Sequence, residues 1–186
     1  MATTADFKNG LVLEIDGQLY QMVYFQHVKP GKGGAFVRTK LKNIRTGAVL
    51  DRTFNAGERV TDARLQRRAI QFSYADGHFH HFIDQQTFDD IMLTDEVIGP
   101  DQLRYLKEGM ECEGLLHNDR VILVELPYFV ELAVTRTDPS VRGDTATGAT
   151  KPATLETGLE IRVPLFIKEG EKVKVHTETL EFAGRA

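Results

Sequence analysis

Short runs rich in Val, Ile, Leu, Phe, Tyr and Thr recur along the chain, each bounded by a turn signal. The turn signals are Asp16-Gly17, the stretch PGKGG at Pro30–Gly34, Thr46-Gly47, Asp76-Gly77, Asn118-Asp119 and Glu169-Gly170. Runs of this length at this spacing predict an all-β chain of small barrels or sandwiches. Leu11–Ile15, Leu19–His27, Ala35–Asn43 and Val49–Phe54 are expected to form a first sheet that closes near Leu65. A second unit opens on Ala69–Ala75, paired with His78–Asp84 across Asp76-Gly77, a dipeptide suited to the positive φ angles of a type I′ turn. Glu111–His117 and Arg120–Glu125 form another hairpin across Asn118-Asp119, and Pro127 reads as a boundary. The third unit is expected to hold strands Tyr128–Arg136, Leu155–Glu156, Glu160–Pro164 and Lys172–Thr177. The predicted division is therefore 1–65, 66–127 and 128–186. Helical patterns are scarce. Gln85–Met92 and Pro100–Leu106 are the candidates, with Pro100 suited to a first helical turn and Gly109 to a stop.

Two connections depart from ordinary tight turns. The first, HVKPGKGG at His27–Gly34, carries Lys32 between glycines, and no bulky neighbour in sequence shields it. Lys29, Pro30, Gly31, Lys32, Gly33 and Gly34 together read as a tight tip that projects an ammonium outward. Lys32 could there be a phosphate clamp, a catalytic amine, a modified side chain or a solvated turn lysine. The phosphate-loop pattern G-x-x-x-x-G-K-[ST] opening a helix is absent. A catalytic lysine needs a desolvated pocket that a hairpin tip does not offer. In the strand that follows, alternation puts Ala35, Val37, Thr39 and Leu41 on one face and Phe36, Arg38, Lys40 and Lys42 on the other. Cations spaced along a strand can track phosphates, so Arg38, Lys40 and Lys42 form a candidate RNA-binding stripe. The second connection is the polar stretch Thr137–Thr154, expected to be a long loop in a small barrel, where such loops often carry function. Its hydroxyls, backbone N–H groups and Lys151 could meet a phosphodiester backbone.

Composition narrows the choices. The chain has 186 residues, 41% hydrophobic and 27% charged, ordinary values for a soluble globular protein. The net charge of −4 is unevenly spread. Residues 1–65 carry ten Lys and Arg against six Asp and Glu; residues 66–127 carry five against twelve; residues 128–186 carry eight against nine. A basic first third on a more acidic body can offer one cationic surface to RNA. The lone Cys112 excludes an internal disulfide and suits a reducing cytoplasm, and neither a secretory signal nor a membrane-length apolar run is visible. His78, His80 and His81 in GHFHHF would be split between two strand faces, too few on either to complete a zinc site. Asp89-Asp90 and Asp95-Glu96 read as solvated acidic surface. No Ser/His/Asp or Cys/His arrangement is readable. The expectation is a protein that is not an enzyme and that uses neither metal nor cofactor.

HVKPGKGGAFVRTKLKN at His27–Asn43, TGAVLDRTFNAGERV at Thr46–Val60, EGM at Glu108–Met110, VELPYFVEL at Val124–Leu132, RGDTATGATKPATLETG at Arg142–Gly158 and VPLFIKEGEKVKV at Val163–Val175 occur in one collinear series. Together they resemble the bacterial elongation factor P family over nearly the whole chain. The resemblance implies three β-barrel domains, SH3-like (KOW-like) and then two oligonucleotide/oligosaccharide-binding (OB) folds, in an L-shaped monomer. It implies a cytoplasmic translation factor that enters the 70S ribosome between the peptidyl and exit sites. There it promotes peptide-bond formation at consecutive prolines by positioning the acceptor end of peptidyl-tRNA. Lys32 aligns with the family's modified loop-tip residue, which implies a lysine-modifying enzyme as a partner. Arg142, Gly143, Asp144, Thr145 and Lys151 align with the C-terminal domain's ribosome- and tRNA-facing loop. Two alternatives from the residues themselves are a general single-strand RNA-binding barrel protein and an enzyme with Lys32 as an active amine.

Overall fold

Asp16 and Gly17 both have positive φ, 52° and 75°, and Ile15 pairs directly with Gln18, so this dipeptide forms the two-residue turn expected of it. Asn118 and Asp119, at φ 49° and 60°, make an equivalent turn between His117 and Arg120. In the computed structural model, residues 1–139 and 148–186 are described, and most of them lie in strands. Three antiparallel sheets follow one another along the chain. The first contains β1 (Ala2–Thr3), β2 (Val12–Ile15), β3 (Gln18–Val28), β4 (Phe36–Asn43), β5 (Val49–Asn55) and β6 (Arg59–Asp62), in the order β1-β6-β2-β3-β4-β5. The second contains β7 (Gln66–Ala75), β8 (His80–Asp84), β9 (Asp90–Leu93), β10 (Glu111–His117) and β11 (Arg120–Glu125), in the order β11-β10-β7-β8-β9. The third contains β12 (Phe129–Thr137), β13 (Thr150–Leu155), β14 (Glu160–Pro164), β15 (Lys172–His176) and β16 (Phe182–Arg185), in the order β14-β13-β12-β15-β16. Two short helices, α1 (Asp95–Ile98) and α2 (Pro100–Leu103), precede β10.

By packing, the chain falls into two compact units, one of Met1–Arg67 with Leu115–Leu123 and one of Arg68–Gly114 with Val124–Ala186. In the first, Phe7, Leu13, Met22, Val37, Leu41 and Phe54 are buried together, and Phe7 meets Phe54 edge-on at 5.2 Å. Each such side chain contributes roughly 1.5–3 kcal/mol through burial. In the second, the inward rows of β12 to β15, among them Leu132, Leu155, Val163 and Val173, pack around the fully covered ring of Tyr105.

Three expected elements are corrected. Gln85–Met92 is not helical. Asp84 accepts the backbone N–H groups of Gln86 and Thr87 at 2.8 and 3.0 Å, which fixes a turn, and β9 begins at Asp90. Asp76-Gly77 is not a two-residue turn, because β8 starts at His80, pairs with Ala75, and leaves residues 76–79 in the connection. There the Asp76 carboxylate accepts from His78 N and Phe79 N, both at 2.8 Å, an Asx-type turn that outcompetes the tighter one. Finally, the polar stretch Thr137–Thr154 is not all loop, since β13 runs from Thr150. Its inward row is Lys151, Ala153 and Leu155. A lysine and an alanine in that row remove the apolar alternation by which strands are recognised. Pro152 is tolerated because β12 ends at Thr137, opposite Ala153, so no partner on that side requires its missing N–H.

Candidate nucleic-acid interface and the Lys32 loop

The longest paired ladder in the molecule joins β3 to β4 and ends on the rung Val28–Phe36. β5 supports the far side of β4 as far as the rung Phe36–Asn55. Residues 29–35 therefore leave a braced three-strand base as a narrow loop. Lys29, Pro30, Gly31, Lys32, Gly33 and Gly34 are all exposed. A Cβ placed on Gly31, Gly33 or Gly34 would meet no atom within 4 Å, so nothing crowds the tip. Gly33 has φ +103°, a conformation that L side chains rarely adopt, and it sets the direction in which the chain returns to β4. Among the described residues Lys32 has no hydrogen bond or ion pair. Its ammonium is thus held clear of the body, with all of its donors available.

Behind the loop, β4 alternates as its sequence requires. Val37, Thr39 and Leu41 are buried, while Arg38, Lys40 and Lys42 face outward. The Arg38 guanidinium lies 5.5 Å from the centre of the Phe36 ring, and Lys40 pairs with Asp51 at 3.6 Å. Both ends of that ion pair are exposed, so it is easily exchanged for another anion.

A further outward aromatic, Tyr24, escaped sequence reasoning. Strict alternation from the buried Met22 puts Tyr24 inside. A bulge between Met22 and Tyr24 inserts Val23, so Met22 faces Leu41 while Tyr24 stands directly across from Lys40. Tyr24 is 45% exposed, and its hydroxyl donates to Gln26 Oε1 at 3.2 Å. The outer face of the hairpin thus alternates rings with cations: Tyr24 beside Lys40, and Phe36 beside Arg38. That combination can hold a nucleic-acid strand by phosphate contact and stacking. No signal in the sequence marks the bulge.

The C-terminal candidates divide. Arg142, Gly143, Asp144 and Thr145 lie outside the described residues. Lys151 departs from the expectation of an exposed loop cation. It sits on β13, is only 6% exposed, and donates from Nζ to the Asp138 carbonyl. Its ammonium ties the ends of β12 and β13 together.

Two histidines of GHFHHF, His80 and His81, have structural partners. His81 Nδ1 lies 3.1 Å from Asp90 Oδ2 and Nε2 lies 3.0 Å from Asp76 Oδ2, and the ring stacks on Tyr74 at 4.3 Å. Hydrogen bonds to the two carboxylates raise the His81 pKa, and the bond from His81 holds Asp76 far below the usual carboxylate range. His80 lies instead beside Asp95, with Nδ1 3.2 Å from its carboxylate. Among the described residues no group of three or more His, Cys, Asp or Glu side chains could hold a metal ion. Cys112 is buried, and desolvation pushes its thiol up to about 12. Among the described residues no helix is long and apolar enough to cross a membrane.

Comparison with known proteins places this geometry in a family. The elongation factor P KOW-like domain matches residues 3–60, the elongation factor P OB domain residues 65–124, and the elongation factor P C-terminal domain residues 130–185. Proteins named elongation factor P from Streptomyces coelicolor and Rhodococcus erythropolis are 54% and 53% identical, each over the whole of this chain and 98% of its own length. The elongation factor P of Pelotomaculum thermopropionicum is 49% identical over all of both chains. Two solved structures share the fold. A translation initiation factor 5A from Methanococcus jannaschii has a TM-score of 0.51 and 23% identity, covering 66% of this chain and 92% of its own. A translation initiation factor family protein from Naegleria fowleri has a TM-score of 0.55 and 12% identity, covering 67% and 96%. With an SH3-like (KOW-like) barrel followed by two OB folds and with relatives matched end to end, the chain belongs to the elongation factor P family, whose members are translation elongation factors and not enzymes.

Proposed function

We propose that this factor acts in the cytoplasm on the 70S ribosome, beside peptidyl-tRNA, and relieves stalling at consecutive prolines. The observation that carries this reading is the isolation of Lys32, an unpaired ammonium at the tip of an uncrowded loop on a braced hairpin. Proline is a poor nucleophile in peptide transfer, and its ring restricts the geometry of the nascent chain. The ribosome supplies the reaction centre, so an accessory protein contributes by positioning. Holding the acceptor end of the tRNA in an attack-ready pose lowers the entropic part of the barrier. A narrow arm with a cationic end suits a crowded RNA site. A covalent extension of Lys32 by a modifying enzyme gives it more reach and more donors. The outward cations Arg38, Lys40 and Lys42, with Tyr24 and Phe36 between them, supply sequence-independent affinity for the tRNA backbone. A role for Arg142–Thr145 at the ribosome rests on the family resemblance alone. The domain division 1–65, 66–127 and 128–186 is supported by the succession of three sheets.

The test is a reconstituted translation assay on a message encoding three consecutive prolines. Lys32→Ala is expected to fold as the wild type does, because an exposed turn side chain contributes within about 0.5 kcal/mol. It is expected to lose most of the rescue, while messages without proline runs are translated normally. Full rescue by Lys32→Ala overturns the reading. Mass spectrometry of native protein is expected to find an added group on the peptide that contains Lys32.

A further inference from the structure

The glycines at the tip of the Lys32 loop stand in open space, yet the loop's return arm is tied to a turn remote in sequence. Ala35, which ends the loop, accepts at its carbonyl from the backbone N–H of Ala56 at 2.9 Å. Ala56 belongs to the turn between β5 and β6, and that turn is closed internally. Asn55 N donates to Glu58 Oε2 at 2.8 Å, and Glu58 N donates to Asn55 O at 3.0 Å. The turn is also gripped from outside by one residue near the start of the chain. Gly57 N donates to Thr4 Oγ1 at 2.8 Å, and Thr4 N donates to Glu58 O at 3.2 Å. Thr4 is among the few buried polar side chains, 2% exposed. It is fixed in turn by the short 3-10 segment Thr4–Asp6, where Asp6 Oδ2 accepts from Thr3 N at 2.8 Å and from Thr3 Oγ1 at 3.2 Å. Pairing of β1 with β6 holds the same segment from the other side.

We propose that Thr4 is a positioning residue for the Lys32 loop, acting through Gly57, Ala56 and Ala35; this rests on the role assigned to Lys32 above. The core does not need a hydroxyl at this position, since an isosteric apolar side chain fills the same space. What the hydroxyl adds is an acceptor for the turn that carries Ala56. Without it the Gly57 N–H turns to another partner and the turn shifts. Ala56 moves with it, and its hydrogen bond to the loop's return arm at Ala35 lengthens. A positioning arm tolerates little of this, because a displacement of about 1 Å can lower a positioned reaction by roughly a hundredfold.

The experiment compares 15N-labelled full-length wild type, Thr4→Val and Thr4→Ser. NMR order parameters are measured for the amides of Gly31, Gly33 and Gly34, and hydrogen exchange for the amide of Ala56. Thr4→Val removes the acceptor at nearly constant volume and is expected to lower all three order parameters and to speed Ala56 exchange by roughly tenfold. Thr4→Ser restores the acceptor and is expected to match the wild type. Rescue of three-proline synthesis is expected to fall about tenfold in Thr4→Val and to remain in Thr4→Ser. Wild-type loop dynamics in Thr4→Val overturn the proposal. So does a loosened loop with full rescue where Lys32→Ala fails, since the loop's pose is then not used. If Lys32→Ala itself rescues fully, the role of the lysine falls, and the NMR comparison still decides whether Thr4 holds the loop. Thr4→Ala removes the same acceptor and carries the comparison if Thr4→Val does not fold.

Discussion

His81 Nε2 lies 3.0 Å from Asp76 Oδ2, and the opposite nitrogen of the same ring lies 3.1 Å from Asp90. The pairing ties the connection after β7 to the edge strand β9 through one ring. Its strength depends on charge at both ends. The His81 pKa is raised from its ordinary 6.5, so its contribution is complete below that value and disappears as pH rises through the folded-state value. The Asp76 pKa is lowered from 3.8, so its contribution is complete above that value and disappears as pH falls through the folded-state value. The clamp is therefore strongest between about pH 4 and pH 6.5. The difference in melting temperature between wild type and His81→Gln is expected to be widest in that window and to narrow on the alkaline side. A constant difference from about pH 5 to pH 9 would show that the ring acts by packing alone.

Gly33 offers a way to disturb the loop without disturbing the body. Its φ of +103° strains any L side chain, whereas Gly34 lacks that conformation, and both sites are open. Gly33→Ala is expected to cost about 1–2 kcal/mol in unfolding free energy, all of it backbone strain, because no packing is lost. Rescue of three-proline synthesis is expected to fall in Gly33→Ala and to persist in Gly34→Ala. Equal rescue by the two variants would show that the direction of the loop's return does not matter.

The outward cations of β4 predict a different signature. Under the proposed function, changing Arg38 and Lys40 together to Glu removes phosphate contacts, so ribosome binding is expected to weaken for every message alike. A plot of log affinity against log salt is expected to become shallower by roughly 1–2, as two fewer counterions are released. Lys32→Ala is expected to leave most of the affinity. An unchanged slope in the Arg38, Lys40 double variant would place the RNA contact elsewhere.

Tyr105 carries a cost inside the second unit's core. Its ring is covered almost completely, and its hydroxyl has no hydrogen-bond partner among the described residues. Tyr105→Phe keeps the ring and removes an unsatisfied group, so urea unfolding is expected to show unchanged stability or a gain of up to about 1 kcal/mol. Tyr105→Ala is expected to lose about 3–5 kcal/mol by leaving a cavity. A loss of more than about 1 kcal/mol in Tyr105→Phe would mean that the hydroxyl is bonded.

Several features were readable because a single rule governs them locally. The inward row Val37, Thr39, Leu41 and the outward row Arg38, Lys40, Lys42 follow from strand alternation alone. The turns at Asp16-Gly17 and Asn118-Asp119 follow from backbone preferences. What was hidden depends on competition or insertion. Val23, as the extra residue of a bulge, reverses the expected side of Tyr24. The Asp84 and Asp76 carboxylates capture nearby N–H groups and replace an expected helix and an expected tight turn. Lys151 looks like a loop cation in sequence because lysine is rarely buried; only the neighbouring Asp138 carbonyl explains its place. The link from Thr4 to Ala35 runs between segments far apart in sequence, and no local pattern announces it.

Cys112 is the only cysteine in the chain, and burial makes its thiol a poor nucleophile at neutral pH. A second cysteine introduced at the open tip, for example at Gly34, would therefore react alone with a maleimide dye under native conditions. The wild-type sequence serves as its own cysteine-light background, so distances from the arm to a labelled tRNA can be measured by energy transfer without first replacing a core residue.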